Sequence, residues 1–233
     1  MIYELKYCPT KIADVVFPDP HSEQIIQGYE SAQRTRNLLL HGACGSGKTT
    51  LANLIPPAFE RNYPESPLFS NGYLDVMSIP GGSTDRSNVG VKKIKARTGK
   101  VCPNGSEMFY VIIDEADMLS VQYQGALKSL MSERTHVLFI LTTNYIDKID
   151  RGIRSRCEKV PLDPAPAERW MDRARLILNQ EKIIISDEKL LALLKAHEGD
   201  NRDILSALES TVLQYKGSIG TKGGPTHVMP RGI

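Results

Sequence analysis

The sequence predicts an α/β fold, with a parallel five-stranded sheet sandwiched by helices and followed by a small helical domain. Over the first two thirds of the 233 residues, short runs rich in Val, Ile and Leu alternate with stretches of helical length, as in parallel sheets with crossover helices. After a proline-rich stretch at 163–166, apolar residues recur instead at spacings of three and four. We therefore expect an α/β domain over 1–163, a helical domain over 164–217 and a mobile tail over 218–233.

The predicted elements follow one another along the chain without an internal repeat. The strands are expected at 37–42, 73–79, 107–115, 136–144 and 157–163. The clearest helix of the first domain is VQYQGALKSLMSE at 121–133, between the third and fourth strands. The helical domain is expected to consist of helices at 168–180, 187–198 and 202–216.

Composition excludes several classes of protein. The net charge of +2 neither favours nor excludes nucleic acid, so any such surface must be local. The four cysteines lie far apart, without a CxxC or Cys/His pair, which argues against a zinc module or a disulfide framework and for a reducing cytoplasm. No apolar run approaches the roughly 20 residues that span a bilayer, and the N-terminus lacks the features of a signal peptide. We expect no membrane partner.

Residues 42–49, GACGSGKT, match the phosphate-binding pattern GxxxxGK[ST] in full. They follow the first predicted strand and precede the helical run TTLANLI at 49–55, which is the setting that this P-loop motif requires. The glycines let backbone N–H groups surround phosphates, and the helix N-terminus attracts negative charge. We expect Lys48 to reach the β- and γ-phosphates of ATP and the Thr49 hydroxyl to bind Mg²⁺. The predicted nucleotide-binding residues of this segment are Gly42, Ala43, Cys44, Gly45, Ser46, Gly47, Lys48, Thr49 and Thr50.

The acidic end of the third strand, FYVIIDEAD (109–117), supplies the second half of a nucleotide site. Parallel α/β folds bind ligands at the carboxyl ends of their strands, so Asp114 is expected to orient Mg²⁺ and Glu115 to activate the attacking water. Asn144, at the end of the next strand, could contact the same water and the γ-phosphate. The alternative is a strand end followed by an acidic helix cap. A DEAD-box helicase needs two P-loop-like domains, for which this chain has no room.

These residues and four further stretches give the chain its resemblance to a known family. It resembles the AAA+ ATPases, and specifically the small subunits of clamp loaders of the replication factor C type. The P-loop and the acidic strand are shared by many ATPases, whereas the triplet Ser155-Arg156-Cys157 in its setting is more specific to clamp loaders. The other stretches are KYCPTKIADVVF (6–17), TTNYIDKIDRGIRSRC (142–157), PLDPAP (161–166) and GDNR (199–202).

The resemblance implies roles for two arginines outside the P-loop. Arg156 corresponds to an arginine finger that acts on ATP held by a neighbouring subunit, whereas the alternative is a solvated arginine at a helix end. Arg202 corresponds to a second sensor, which contacts the phosphates from the helical lid domain. Asp200 is a plausible N-cap of that last helix. For Arg154 we expect only a surface salt bridge.

The resemblance also implies an adenine pocket near the N-terminus. Tyr7, Val15 and Val16, together with Pro9, fall where the family encloses adenine. Cys8 stands where clamp loaders usually carry arginine, so contacts made by that arginine are not expected here. The subunits of the family continue after the lid into a helical collar domain, for which we expect no counterpart in residues 1–233.

A basic stretch after the second strand is a candidate DNA surface. Lys92, Lys93, Lys95 and Arg97 follow Ser87 and Asn88, either of which can cap a helix. In clamp loaders the matching helix start follows duplex DNA inside a spiral of subunits, through contacts to backbone phosphates. The alternative is a solvated lysine face, because basic helix surfaces are common.

We therefore expect an ATP- and Mg²⁺-dependent ATPase that works in a homo- or hetero-oligomer with neighbouring AAA+ subunits. Its expected task is to load a sliding clamp or another replication ring onto DNA, with primer-template DNA and the clamp as candidate partners. An alternative is an AAA+ remodeller that opens or unfolds a protein partner through the loop at 80–90. That loop has no aromatic residue of the kind that threading loops present. A nucleotide-binding scaffold without hydrolysis is the third reading, against which the intact Lys48, Asp114 and Glu115 argue.

Overall fold

Five parallel strands form a single sheet in the order β2-β3-β4-β1-β5. The computed structural model describes residues 2–64, 74–82 and 89–220, without the side chains of Val89 and of residues 217–220. The predicted α/β class with a five-stranded parallel sheet is confirmed. The strands are β1 (Asn37–His41), β2 (Val76–Pro80), β3 (Phe109–Asp114), β4 (Val137–Thr143) and β5 (Cys157–Pro161).

The helices of the α/β part lie on both faces of this sheet. The helix predicted at 121–133 is found with these bounds. Short 3₁₀ turns cover Ile12–Asp14, Ala116–Met118 and Ile146–Lys148. The α-helices on the sheet are α2 (Pro20–Glu30), α3 (Lys48–Glu60), α4 (Val89–Thr98), α5 (Val121–Glu133) and α6 (Arg151–Arg156). A further short helix, α1 (Tyr3–Lys6), precedes them in sequence.

The central strands are buried because their alternate side chains enter two different apolar clusters. On β3, Tyr110 and Ile112 pack against α2 and α3, whereas Val111 and Ile113 pack against α4 and α5. All seven residues of β4 are buried. Strands covered on both faces read as continuous apolar runs, which is why the sequence shows them so clearly. The carboxyl ends of β1, β3 and β4 are thereby held side by side.

Helix α3 continues beyond its predicted end. The sequence predicts a helix over 49–55, but α3 extends to Glu60 and contains Pro56 and Pro57. A proline inside a helix removes a backbone hydrogen bond and costs about 3 kcal/mol. Ala58 and Phe59, beyond the prolines, are buried in the cluster under the sheet, and burying a large apolar side chain contributes about 1.5–3 kcal/mol. Packing of this last part of α3 under the sheet therefore opposes the local cost.

The helical domain has its own core, and the start of the chain belongs to that core. Tyr3 and Tyr7 are buried in the same apolar cluster as Trp170, Leu190 and Leu208. The first residues therefore pack on the helical domain, although they precede the sheet in sequence. The domain's helices are α7 (Ala167–Gln180), α8 (Asp187–Ala196) and α9 (Asn201–Gly220).

The predicted tail begins inside α9, which extends to Gly220, and residues 221–233 lie outside the described residues. Over the described ranges, no helix combines the length and apolar character that crossing a membrane requires.

Candidate functional site

The glycine-rich loop between β1 and α3 has a backbone that favours glycine at three positions. Gly45 and Gly47 have φ values of +77° and +92°, which side chains other than glycine adopt rarely. Gly42 has a φ of +146°, and a Cβ on it would lie 2.3 Å from the carbonyl oxygen of Leu162. The loop thus presents its backbone where a bulkier residue would not fit.

Lys48 opens α3 and is buried under this loop. Its Nζ atom donates hydrogen bonds to the carbonyl oxygens of Gly42 at 3.0 Å and Ala43 at 2.5 Å. Burial lowers the pKa of the Lys48 ammonium, because the charged form is less well solvated there. An anion bound at the loop would offset this lowering of the Lys48 pKa, because it would stabilise the charged ammonium.

Asp114, at the end of β3, lies between two threonines. Its Oδ1 atom accepts hydrogen bonds from the Thr49 hydroxyl at 2.8 Å and from the Thr142 hydroxyl at 2.5 Å. The predicted pair Thr49 and Asp114 is therefore brought together. Thr142 is a site residue that the sequence reading missed, although its place at the end of β4, beside Asn144, could have indicated it.

Glu115 follows in a left-handed backbone conformation, with a φ of +52°. Its backbone N–H donates to the Thr142 hydroxyl at 3.0 Å, which fixes this conformation. A Cβ on Gly81 would lie 2.1 Å from the Glu115 carbonyl oxygen, so the chain after β2 packs closely against it. The Glu115 side chain itself is exposed. Such a backbone costs on the order of 1–3 kcal/mol and tends to occur at functional sites.

Asp117, the last residue of the DEAD sequence, supports the end of β4. Its Oδ1 atom accepts hydrogen bonds from the Thr143 hydroxyl at 2.7 Å and from the Asn144 backbone N–H at 3.3 Å. Asn144 is thereby held at the same sheet edge as Asp114 and Glu115. These hydrogen bonds give the Asp117 carboxylate a structural role, which we did not predict from the sequence.

One cavity brings together most of the predicted site residues. Gly42 and Ala43 do not line it, but accept hydrogen bonds from Lys48 behind the loop. The predicted residues that line the cavity are Tyr7, Val15, Val16, Cys44, Gly45, Ser46, Gly47, Lys48, Thr49, Thr50, Asp114, Glu115, Asn144 and Arg202.

The start of α9 closes the cavity from the helical domain. Asp200 caps this helix, since its Oδ1 atom accepts from the Arg202 backbone N–H at 2.8 Å. A Cβ on Gly45 would lie 2.2 Å from that carboxylate, and one on Gly47 would lie 3.7 Å from the Asn201 amide nitrogen. The α9 terminus therefore lies directly over the P-loop, with exposed Arg202 at the cavity wall.

Arg173 on α7 is a second cavity residue that the sequence reading missed. Its Nη1 atom lies 3.2 Å from Asp14 Oδ1, and its Nη2 atom donates to the Tyr7 carbonyl oxygen at 3.0 Å. Both partners of the ion pair are mostly buried, with side chains 15% and 16% exposed. Nothing in the amphipathic pattern of α7 distinguishes this arginine from its neighbours.

Two buried polar atoms on the cavity wall have no partner within the described residues. They are the indole Nε1 of Trp170 and the Oδ1 of Asn201. Buried polar groups are nearly always hydrogen-bonded. A ligand with hydrogen-bonding groups, such as a nucleotide, fits a wall of this kind.

Arg156 is not part of this cavity. It lies at the exposed end of α6, where its Nε atom donates to the Ser132 hydroxyl and its Nη1 atom to the Gly152 carbonyl oxygen, both at 2.8 Å. The neighbouring Arg154 makes the predicted salt bridge, with Asp147 at 3.3 Å. Within its own chain, Arg156 therefore contacts Ser132 and Gly152 and does not line the cavity.

The basic stretch on α4 divides into paired and exposed residues. Arg97 forms an ion pair with buried Asp75, and Lys95 lies 3.5 Å from Glu133. Lys92 and Lys93 are exposed. The predicted caps, Ser87 and Asn88, lie outside the described residues. A phosphate-binding surface would therefore depend on Lys92 and Lys93 more than on the other two.

Comparison with known proteins identifies the family. The model of the ATPase family associated with various cellular activities (AAA) matches residues 38–162, more than half of the chain. The chain belongs to this family. The match begins in β1 and ends just after β5, and so contains the P-loop, the acidic strand and Arg156. The resemblance predicted from the motifs is confirmed.

Curated relatives of this AAA ATPase are replication factor C subunits. The small subunit of Aeropyrum pernix is 29% identical over 94% of this chain and 64% of its own length. That of Staphylothermus marinus is 32% identical over 90% of this chain and 61% of its own. Human replication factor C subunit 5 is 29% identical, over 90% and 60%. The chain spans less than two thirds of the length of these relatives.

Solved structures show the same fold. The RuvB Holliday junction branch migration motor of Thermotoga maritima superimposes with a TM-score of 0.67, covering 89% of this chain and 67% of that one. The sequence identity is 15%, so this likeness supports the architecture alone.

Proposed function

We propose that this chain is an Mg²⁺-dependent ATP-hydrolysing subunit of an AAA+ oligomer that loads a sliding clamp onto DNA. The observation that carries the proposal is the convergence of Lys48, Thr49, Asp114, Glu115 and Asn144 on one cavity, while Arg156 lies outside it. A site of this kind holds its nucleotide within one subunit, and the arginine that completes it comes from a neighbouring subunit. The clamp-loading task is supported by the replication factor C relatives.

The residues of the cavity have different roles in binding and hydrolysing the triphosphate. The backbone N–H groups of the P-loop and the Lys48 ammonium hold the phosphates. Glu115, exposed beside the sheet edge, accepts the proton of the attacking water or orients it. Asn144 hydrogen-bonds the same water, and Arg202 contacts the phosphates from the helical domain. Arg202 thereby links the position of that domain to the nucleotide.

Thr49 and Asp114 fit a magnesium ion. Mg²⁺ prefers oxygen ligands and usually keeps several waters while it binds one or two protein groups and the phosphates of a substrate. A hydroxyl and a carboxylate oxygen 2.8 Å apart supply such a pair. When bound, the ion would neutralise charge on the phosphates. In the described part of the chain, no group of three or more His, Cys, Asp or Glu side chains could hold a metal ion.

The base end of the cavity fits adenine. Tyr7, Val15 and Val16 line it together with Cys8 and Trp170, so the wall is mainly apolar, with few hydrogen-bonding groups. Cys8 is an exposed free thiol. The proposed place of work is a reducing cytoplasm, because none of the four cysteines is paired.

ATP hydrolysis measured with and without primed DNA tests this function. We expect weak basal hydrolysis, and a several-fold increase when primer-template DNA and a sliding clamp are present together. The increase is expected because DNA inside a spiral of subunits would bring each Arg156 towards its neighbour's nucleotide. Stimulation by an unfolded protein but not by DNA would instead support the remodeller, and absence of ATP binding would reject the nucleotide site.

The two exposed lysines of α4 provide a sharper test of the DNA surface. In Lys92→Ala/Lys93→Ala we expect weaker DNA binding and a reduced dependence of log K on log[salt]. The slope should fall by up to about 1.8, because each lost phosphate contact removes about 0.9. Fluorescence anisotropy at several salt concentrations measures both quantities. Lys182→Ala/Lys189→Ala, which removes two exposed lysines of the helical domain, is the control. An unchanged slope would contradict the proposed surface.

A further inference from the structure

A buried carboxylate outside the triphosphate site connects distant parts of the chain. Glu181 caps the C-terminal end of α7, directly after Gln180, and its side chain is 6% exposed. It accepts hydrogen bonds from the Tyr7 hydroxyl at 2.6 Å and from the Lys216 ammonium at 2.6 Å, and it is also bound by the Lys6 ammonium. Burial of a carboxylate is costly unless such partners satisfy it. Lys6, Tyr7 and Lys216, which are far from Glu181 in sequence, therefore meet at its carboxylate.

These contacts keep Glu181 ionised. The hydrogen bonds from Lys216, Lys6 and Tyr7 hold the pKa of the Glu181 carboxyl well below its ordinary range. Burial, together with the hydrogen bond to Glu181, raises the pKa of the Tyr7 hydroxyl, so Tyr7 stays a donor. The contact between Tyr7 and Glu181 is thus a charge-assisted hydrogen bond, a class that is stronger than neutral pairs.

The same contacts fasten the N-terminal helix to the helical domain. Tyr3 and Tyr7 stack edge to face with ring centroids 4.8 Å apart, inside the core of that domain. The backbone N–H of Tyr3 donates to Glu209 on α9 at 3.3 Å. Lys6 and Lys216, from the two ends of the described chain, meet at Glu181. Helix α1 is therefore part of the helical domain in its packing.

Tyr7 also lines the cavity proposed to hold ATP. Its hydroxyl is held by Glu181 and its carbonyl oxygen by Arg173 at 3.0 Å. Both of these partners lie on or at the end of α7. Contacts with the helical domain therefore fix the position of Tyr7, whereas the sheet holds the P-loop and Asp114.

We infer that Glu181 is a positioning residue for the nucleotide: it holds Tyr7 in place and so orders the base and sugar end of the site, without acting on the phosphates. This inference rests on the proposed function, since it requires that the cavity take a nucleotide. Glu181 touches neither the P-loop nor the acidic strand in any contact of the described residues, so a change there should act through Tyr7.

Comparison of two ligands, ATP and inorganic tripolyphosphate, tests the inference. In Glu181→Gln we expect ATP to bind about tenfold more weakly, the loss that follows from weakening one charge-assisted hydrogen bond. Tripolyphosphate, which lacks a base and sugar, should bind as tightly as it does to the wild type. Isothermal titration calorimetry with Mg²⁺ measures both affinities. Glu188→Gln, at an exposed carboxylate of α8, is the matched control and should change neither.

A double-mutant cycle with Tyr7→Phe distinguishes positioning from a general loss of structure. Because the two residues act as one contact, the double variant should bind ATP no more weakly than Glu181→Gln alone. The fluorescence of Trp170, the only tryptophan in the chain, reports whether the helical domain is folded. If Glu181→Gln does not fold, Tyr7→Phe and Lys216→Met carry the same two-ligand comparison.

Four results would overturn the inference. One is unchanged ATP affinity in the folded variants. Another is an equal loss of affinity for both ligands, which would indicate a structural role. A third is additive effects of Glu181→Gln and Tyr7→Phe. A wild-type chain that binds tripolyphosphate and ATP equally would also overturn it, whereas one that binds neither would reject the proposed function itself.

Discussion

Replacing Arg156 by alanine is expected to lower ATP turnover by about 10³-fold or more, the effect of arginine fingers in other ATPases. The loss should occur although Arg156 does not line the cavity of its own subunit. Steady-state phosphate release from the assembled complex measures it. Arg154→Ala is the matched control, because Arg154 is two residues away and already pairs with Asp147 in its own chain, so its removal should have little effect.

Mixing two inactive variants tests whether Arg156 acts between subunits. In a complex built from copies of this chain, Arg156→Ala subunits keep the P-loop and Lys48→Ala subunits keep the finger. A site between the two kinds of subunit is complete when the Arg156→Ala subunit holds ATP and the Lys48→Ala subunit supplies Arg156. ATP hydrolysis should therefore return on mixing and pass through a maximum as the ratio of the two variants is varied. Failure to recover activity at any ratio would contradict a shared site.

Glu115→Gln is expected to bind ATP with nearly wild-type affinity and to hydrolyse it about 10²–10⁴-fold more slowly, the usual contribution of a general base. The amide keeps the shape of the side chain but accepts no proton at neutral pH. The affinity should persist because Lys48 and the P-loop are unchanged. Calorimetry and single-turnover hydrolysis measure the two quantities separately.

A conservative change elsewhere controls for loss of charge. Glu198→Gln, at an exposed carboxylate beyond α8, should leave the ATP affinity and the rate of hydrolysis unchanged. If Glu115→Gln retained full hydrolysis, Glu115 would have no role in activating water, and its strained backbone would need another explanation.

Much of the sheet and the triphosphate site could be predicted from the sequence because their signals are local. The central strands are buried on both faces, so β3 and β4 read as unbroken apolar runs. The P-loop needs glycines where φ is positive and a lysine and threonine at the helix start, and all of these lie within residues 42–49. Asp114, Glu115 and Asn144 could be placed because parallel strands end at the same edge.

Other parts of the site could not be read in this way. Thr142, Arg173 and Glu181 are ordinary residues of a strand or helix in sequence, and each is important only because of a group brought to it from elsewhere. The continuation of α3 through Pro56 and Pro57 likewise opposes local propensity, and depends on packing of that helix under the sheet.

The fold class, the P-loop and the acidic strand follow from the amino-acid sequence, because backbone conformation and burial pattern act over a few neighbouring residues. Three features required the folded chain: the packing of the first residues on the helical domain, the place of α9 over the P-loop, and the separation of Arg156 from the cavity of its own chain. These contacts join residues that are distant in sequence, as Tyr7 and Glu181 are. Their energy comes from burial and charge pairing that arise only when the chain is folded.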